Sequence, residues 1–166
     1  MKNIFTYTGN PFVDAGITAM LVWFGKDEPE DIEDYDVKDM IDEITDLYIK
    51  DGWQKIMYSI FPGSKLTNPS VKDKKGEYKK YLNELLSEVT ILGREGNCIA
   101  CGRRNSSRQF LKAQVPLTGS GDFVNFFSYG KMGADYCASC VLSIQFAPLV
   151  FYKVGNLVCL QSNNKE

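Results

Sequence analysis

Cys98-Ile99-Ala100-Cys101 and Cys137-Ala138-Ser139-Cys140 form two C-x-x-C pairs in a 166-residue chain without histidine. Each pair has the pattern of a tight turn that aims two sulfurs at one point. Two such turns brought together complete the tetrahedron of a four-thiolate zinc site. The loop between the pairs holds 35 residues, Gly102 to Tyr136, longer than the spacing of a minimal zinc ribbon. The knuckles are therefore expected to be stitched together across an inserted segment. Zinc in a closed four-cysteine site is structural and leaves no open position for a substrate, so the motif argues against metal catalysis.

The rival readings of these cysteines are weaker. Structural disulfides need an oxidising compartment, and the chain opens Met1-Lys2-Asn3-Ile4-Phe5 with no apolar signal segment. A thioredoxin-like motif needs one C-x-x-C opening a helix after a buried strand, and leaves the second pair unexplained. An iron–sulfur cluster also takes four cysteines, and the sequence does not separate it from zinc. The fifth cysteine, Cys159, lies in the apolar run Asn156-Leu157-Val158-Cys159-Leu160 and is expected to be a buried small hydrophobe.

A content of 44% hydrophobic and 13% aromatic residues is that of an ordinary globular chain, and no stretch approaches the length of a membrane span. Five cysteines that read as ligands rather than a disulfide frame fit a reduced, cytoplasmic setting. The formal net charge of −2 hides an asymmetry. Between Asp27 and Asp46 stand eleven carboxylates and one lysine, Lys38, a net of −10, so the remainder carries +8. Arg94, Arg103, Arg104, Arg108 and Lys112 cluster around the first cysteine pair against Glu95 alone. Arginine forks suit phosphate, and a metal would fix their positions. A second basic group, Lys72, Lys74, Lys75, Lys79 and Lys80, reads as solvated surface charge.

Asn10-Pro11 is a helix start, an N-cap side chain followed by proline at the first helical position. Val13, Ile17, Met20, Leu21 and Phe24 recur at helical spacing up to a stop at Gly25. Asp14 falls in the first turn, and Gly16 on the helix face permits close approach of another backbone. Lys26 to Asp36 reads as an exposed loop. A helix follows, with Met40, Ile41, Ile44, Leu47 and Tyr48 on one face and acids on the other. Trp53 to Phe61 fits helix or strand, and Lys65 to Lys75 reads as a polar exposed loop. Tyr78 to Val89 marks a further helix ending near Gly93. Gln109 to Pro116 alternates weakly, Gly119 to Asp122 is a turn, and Phe123 to Phe127 looks like a short strand. Cys140 leads into a buried apolar segment, Val141 to Phe146. Leu149–Tyr152 and Leu157–Leu160 flank a hairpin turn at Val154-Gly155-Asn156.

The fold class expected is therefore α+β. Residues 1–93 form a mainly helical part, and residues 94–166 a four-cysteine zinc-knuckle lobe with short antiparallel strands, packed as one unit. Without histidine there is no Ser-His-Asp or Cys-His arrangement, and no Walker-type or G-x-G-x-x-G loop is present, so no enzyme is expected.

Thr8-Gly9-Asn10-Pro11-Phe12-Val13-Asp14-Ala15-Gly16 resembles the N-terminal signature of CRISPR-associated CXXC–CXXC proteins. These are large subunits of type I-B-like RNA-guided surveillance (Cascade) complexes. The resemblance continues at Cys98-x-x-Cys101, Asn125-Phe126-Phe127-Ser128 and Cys137-x-x-Cys140, and ends in the Lys153 to Leu160 hairpin. It spans most of this chain but only the front part of a typical member, which implies a separate N-terminal domain or a truncated product. The resemblance implies a non-catalytic role in antiviral defence: holding guide RNA, reading a protospacer-adjacent motif in target DNA, and assembling with other Cascade subunits. Base pairing then reads the long sequence, and protein side chains read the short motif and the backbone. Cys98, Cys101, Cys137 and Cys140 would bind the metal, and Arg103, Arg104, Arg108 and Lys112 would contact phosphates. The resemblance gives no role to Asn10 and Asp14, which read as cap and first-turn acid. Two other classes remain. One is an interaction module that docks its acidic helix, with Asp39, Asp42 and Glu43, on a basic partner without nucleic acid. The other is a thiol redox enzyme using Cys98 and Cys101.

Overall fold

A nine-residue helix that is apolar on every side has to sit inside the molecule, and Ala138–Phe146 does: all nine residues are buried. The computed structural model describes residues 4–89, 97–103, 105–120 and 132–160. In chain order its helices are α1 (Pro11–Phe24), α2 (Asp34–Tyr48), α3 (Asp51–Ile60), α4 (Lys74–Glu88) and α5 (Ala138–Phe146). Its strands form two separate antiparallel pairs, β1 (Arg108–Phe110) with β2 (Ala134–Tyr136), and β3 (Tyr152–Val154) with β4 (Asn156–Val158). The α+β class and the short antiparallel strands are as the sequence predicts. No helix among the described residues is long and apolar enough to cross a membrane.

α1 lies directly on α5, and Gly16 is the reason it can. A Cβ built at Gly16 would fall 1.8 Å from the Ser143 carbonyl oxygen, so the two backbones touch where only hydrogen fits. Small residues on α5 complete the approach: Ala138, Ser139 and Ser143 are buried, and the Ser143 hydroxyl donates to the Ser139 carbonyl at 2.9 Å. α1 begins and ends where the sequence places it. The Asn10 side chain accepts from the Phe12 and Val13 amides, and Gly25 closes the helix in the left-handed conformation.

α4 packs on α5 and α2 packs on α4, and one buried residue of α5 joins all three. Gln145 receives the Tyr48 hydroxyl at its backbone carbonyl (3.0 Å) and the Tyr78 hydroxyl at its side-chain oxygen (3.2 Å). Its amide donates to Gln114 O (2.8 Å) in the segment after β1 and to Val141 O (3.2 Å). Every polar group of this glutamine is therefore satisfied, which makes its burial tolerable in an apolar helix. Burial also pushes the Tyr48 and Tyr78 phenols well up, so both stay neutral donors.

The acids of α2 and the lysines of α4 face one another: Lys79 pairs with Asp42 at 2.7 Å, and Lys75 with Asp46. The lysine group is thus partly spent on the acidic helix, although such exposed pairs stabilise little. Trp53 to Phe61 resolves as helix, α3. Two expected loops are less exposed than predicted. Pro29 and Ile32 are buried around a 3-10 turn, and α2 starts at Asp34, with Glu33 and Asp36 as a capping box. Ser64, Leu66 and Thr67 are also buried. There the Thr67 hydroxyl accepts from the Ser64 amide (2.9 Å) and donates to Phe61 O (2.8 Å), so the turn meets its own polar demand while Leu66 enters the core.

The hairpin turns at Gly155 as predicted but is shorter, since Ala147–Val150 forms a 3-10 turn. Cys159 corrects its expectation: it is exposed, because the hairpin lies at the edge of the molecule with only Leu157 of β4 packed on the core. The strand expected at Phe123 to Phe127 lies outside the described residues, as does the helix end near Gly93.

The same substitution at two helical glycines should therefore have opposite signs. Gly16→Ala forces α1 off α5 and should cost about 3 kcal/mol. Gly52→Ala in α3, where an added Cβ meets nothing within 4 Å, should gain roughly 0.5–1 kcal/mol. Urea unfolding of both variants measures the contrast, and equal effects would contradict the packing.

Candidate metal centre

The first knuckle is a turn built from its own residues. Gly102 donates to the Cys98 carbonyl at 2.8 Å and takes φ +61°, where a side chain would be strained. Asn97 and Asn105 bridge on either side of it, and the Ile99 amide donates to Asp135 O at 2.9 Å, which pins the knuckle to β2. The 35-residue insertion is closed at its base by β1 and β2, in the register Arg108↔Tyr136, Gln109↔Asp135, Phe110↔Ala134. Gly133 leads into β2 at φ +75°, where a Cβ would meet Phe110 O at 2.4 Å.

β2 delivers the second knuckle. Cys137 is the N-cap residue of α5 and Cys140 lies one turn in, so both sulfurs sit at a helix N-terminus, where free amides and the helix dipole favour thiolate. Cys137 offers no side-chain cap, and the Ala138 amide is instead met by the Ser107 hydroxyl at 2.9 Å. Ser107 thus joins the two knuckles by a bond that no local sequence pattern announces.

Cys98, Cys137 and Cys140 are buried and Cys101 is half-buried, and all four sulfurs lie within 4.8 Å of one another. Cys101 Sγ and Cys137 Sγ are 3.9 Å apart, far beyond the roughly 2.05 Å of a disulfide. A tetrahedron with metal–sulfur bonds of about 2.3 Å has sulfur–sulfur edges of about 3.8 Å, so the group fits a four-coordinate metal ion. The thiols alone form an uneasy set. Hydrogen bonds from Cys137 and Cys140 hold Cys98 far down in its thiolate form. Hydrogen bonding with Cys137 and Cys98, together with burial, drives Cys140 far up. At Cys137 the Cys140 thiol pulls downward, but Cys98 and burial outweigh it and push the group up to about 11. Without a cation charge is therefore favoured at Cys98 and disfavoured at Cys137 and Cys140; a metal ion would let all four cysteines ionise.

The nonapeptide Thr8 to Gly16 folds back on itself beside this lobe. Asp14 accepts from Thr8 N (2.8 Å), Thr8 Oγ1 (3.1 Å) and Gly9 N (2.9 Å), so its carboxylate fixes the loop ahead of α1. The Asn10 side chain also lies beside the Tyr136 hydroxyl, one residue before Cys137. Asn10 and Asp14 thus act as cap and first-turn acid, and Asn10 sits beside the strand that carries the second knuckle.

Residues 92–152 match the family model of a CRISPR-associated protein (Cas_CXXC_CXXC). Over this span the chain is similar to that family. The match contains both cysteine pairs and α5, while the Thr8 to Gly16 signature lies ahead of it. No curated protein and no solved structure matches the chain.

The basic residues of the CXXC–CXXC lobe are not equivalent. Arg103 is exposed, with its guanidinium 3.2 Å from Thr6 Oγ1, and Lys112 is exposed. Arg108 pairs with Glu88 at the end of α4 (2.8 Å) and lies over the Phe110 ring, so a phosphate would have to displace a carboxylate there. Arg104 lies outside the described residues.

Removing the metal by chelation, or replacing Cys140 by serine, should lower stability by about 4 kcal/mol or more, as expected when a ligand is held at a thousandfold above its dissociation constant. Loaded and stripped protein should also respond to pH differently. In the loaded protein protons compete for the thiolates, so metal and stability are lost as pH falls. In the stripped protein the lowered Cys98 thiol loses its contribution as pH falls, while the raised Cys137 thiol contributes stability below its ordinary value of about 9 and loses it as pH rises toward 11, so the two oppose each other. Thermal melts across pH with and without chelator read both trends, and identical curves would contradict a metal centre.

Proposed function

We propose that this chain is a non-catalytic part of the large subunit of a type I CRISPR RNA-guided surveillance complex, and that Cys98, Cys101, Cys137 and Cys140 hold a structural zinc. In this role it contributes to binding guide RNA and target DNA, including the protospacer-adjacent motif, and to assembly with the other subunits. The observation that carries the reading is the family match over residues 92–152, which falls on the four gathered cysteines. Zinc is favoured over an iron–sulfur cluster by sulfurs close enough to share one ion. A closed four-sulfur shell leaves no position for substrate, so the metal would organise the lobe rather than react.

Arg103 and Lys112 are the residues best available for phosphate contact, since both are exposed beside the lobe and neither is in an ion pair among the described residues. Arg108 would join them by exchanging Glu88 for phosphate, and Arg104 belongs to the same basic run. Docking through the acidic helix is less favoured, because Asp42 and Asp46 already meet lysines of α4.

Binding of the zinc-loaded chain to short duplex DNA and to RNA, followed across salt concentrations, tests the role. Arg103→Ala and Lys112→Ala should each weaken binding regardless of sequence and reduce the salt slope by about 0.9 on duplex DNA. Unchanged affinity and slope in both variants would remove the phosphate-contact assignment.

A further inference from the structure

A cleft of about 450 Å³ opens between α3 and the β3–β4 hairpin, outside the four-cysteine cluster. Lys55, Ile56 and Ser59 line it from α3, and Lys153, Asn156 and Leu157 from the hairpin. The hairpin register accounts for its two sides. Lys153 and Leu157 are direct partners and share one face, turned toward α3, while Tyr152 and Val158 form the next pair on the opposite face and are exposed. On α3, Lys55 and Ser59 are four residues apart and stand one above the other. The Ser59 hydroxyl donates to the Lys55 carbonyl at 3.0 Å, leaving its oxygen lone pairs toward the opening.

The charge in this cleft is uncompensated, unlike that of several other basic residues. Lys65, Lys75, Lys79 and Arg108 each meet a carboxylate, and Lys26 meets Asp36. Lys55 and Lys153 have no ion pair among the described residues, and no carboxylate among those residues lines the cleft. Two lysines contributed by different elements, an amide beside them and the apolar side chains of Ile56 and Leu157 form a setting for an anionic chain. Its charges would meet the lysines while its less polar parts lie on the apolar side chains.

We propose that the α3–hairpin cleft, through Lys55 and Lys153, is a second contact for the sugar-phosphate backbone of a single nucleic-acid strand; the choice of nucleic acid rests on the function proposed above. Asn156 and Ser59 supply hydrogen-bond partners beside the ammonium groups, and the exposed Tyr58 in the next turn of α3 offers a ring for stacking.

The test uses the full zinc-loaded chain and a fluorescently labelled single-stranded oligonucleotide, with anisotropy read across salt concentrations. Lys55→Gln/Lys153→Gln should lose affinity about fivefold or more at low salt and reduce the salt slope by about 1.4, at roughly 0.7 per contact on a single strand. Lys38→Gln/Lys72→Gln, which removes the same charge from exposed positions outside the cleft, should lose less than about twofold. All four lysines are exposed, and unchanged melting confirms that the variants fold. Equal losses in the two variants, or none in the first, overturn the cleft while leaving the proposed function standing. Displacement of the strand by poly-glutamate as readily as by unlabelled oligonucleotide also overturns it, in favour of an acidic peptide. Absence of binding by the unaltered chain overturns the cleft and the nucleic-acid role together.

Discussion

Four sulfur atoms gathered within 4.8 Å, three of them on buried cysteines, impose the constraint on which the lobe depends. As thiolates they repel one another, and as thiols they are poor partners in a low-dielectric site. A shared cation converts that conflict into a cross-link between residues far apart in sequence. Its ligands come from two different kinds of structure: a glycine-closed turn at Cys98–Gly102 and the N-terminus of the buried helix α5. Whatever orders the metal site therefore orders the start of the helix at the centre of the molecule.

From α5 the constraint spreads by contact. Gly16 lets α1 touch the Ser143 backbone, and the N-terminal nonapeptide returns to β2 where Asn10 lies beside Tyr136. Gln145 ties the same helix to Tyr48 of α2, Tyr78 of α4 and the carbonyl of Gln114 beyond β1. The buried cluster accordingly runs from Phe5 to Phe146 and includes Cys98, Cys137 and Cys140. Helical part and cysteine lobe thus share a core, with the polar bonds at its centre setting the relative positions of the helices.

Features written in local chemistry were the readable ones. Asn10-Pro11 states a cap and a first helical residue in adjacent positions. The first C-x-x-C pair states a turn, whereas the second, also read as a turn, opens α5; Gly16 on an apolar face states a close crossing without naming its partner. Features that depend on distant segments were not readable. Nothing near Lys75 or Lys79 shows that α2 will lie opposite with Asp46 and Asp42, so the lysines read as free surface charge. Leu66 sits in a polar sequence and enters the core because Ser64 and Thr67 satisfy their own turn. Cys159 reads as core because its neighbours are apolar, yet no other element among the described residues covers the far end of the hairpin. Ser107 and Gln145 have no local signature at all, and their roles follow from which strand and helix ends meet.

The family match falls on the part of the chain where this chemistry is densest, and the proposed role needs that lobe to be rigid before it can present side chains to phosphate. The most direct measurement is X-ray absorption at the metal edge of the protein as purified. The account predicts zinc with a shell of four sulfurs at about 2.3 Å and no neighbouring metal. A shell containing nitrogen or oxygen ligands, an iron–iron distance, or protein that is fully folded and metal-free would contradict it.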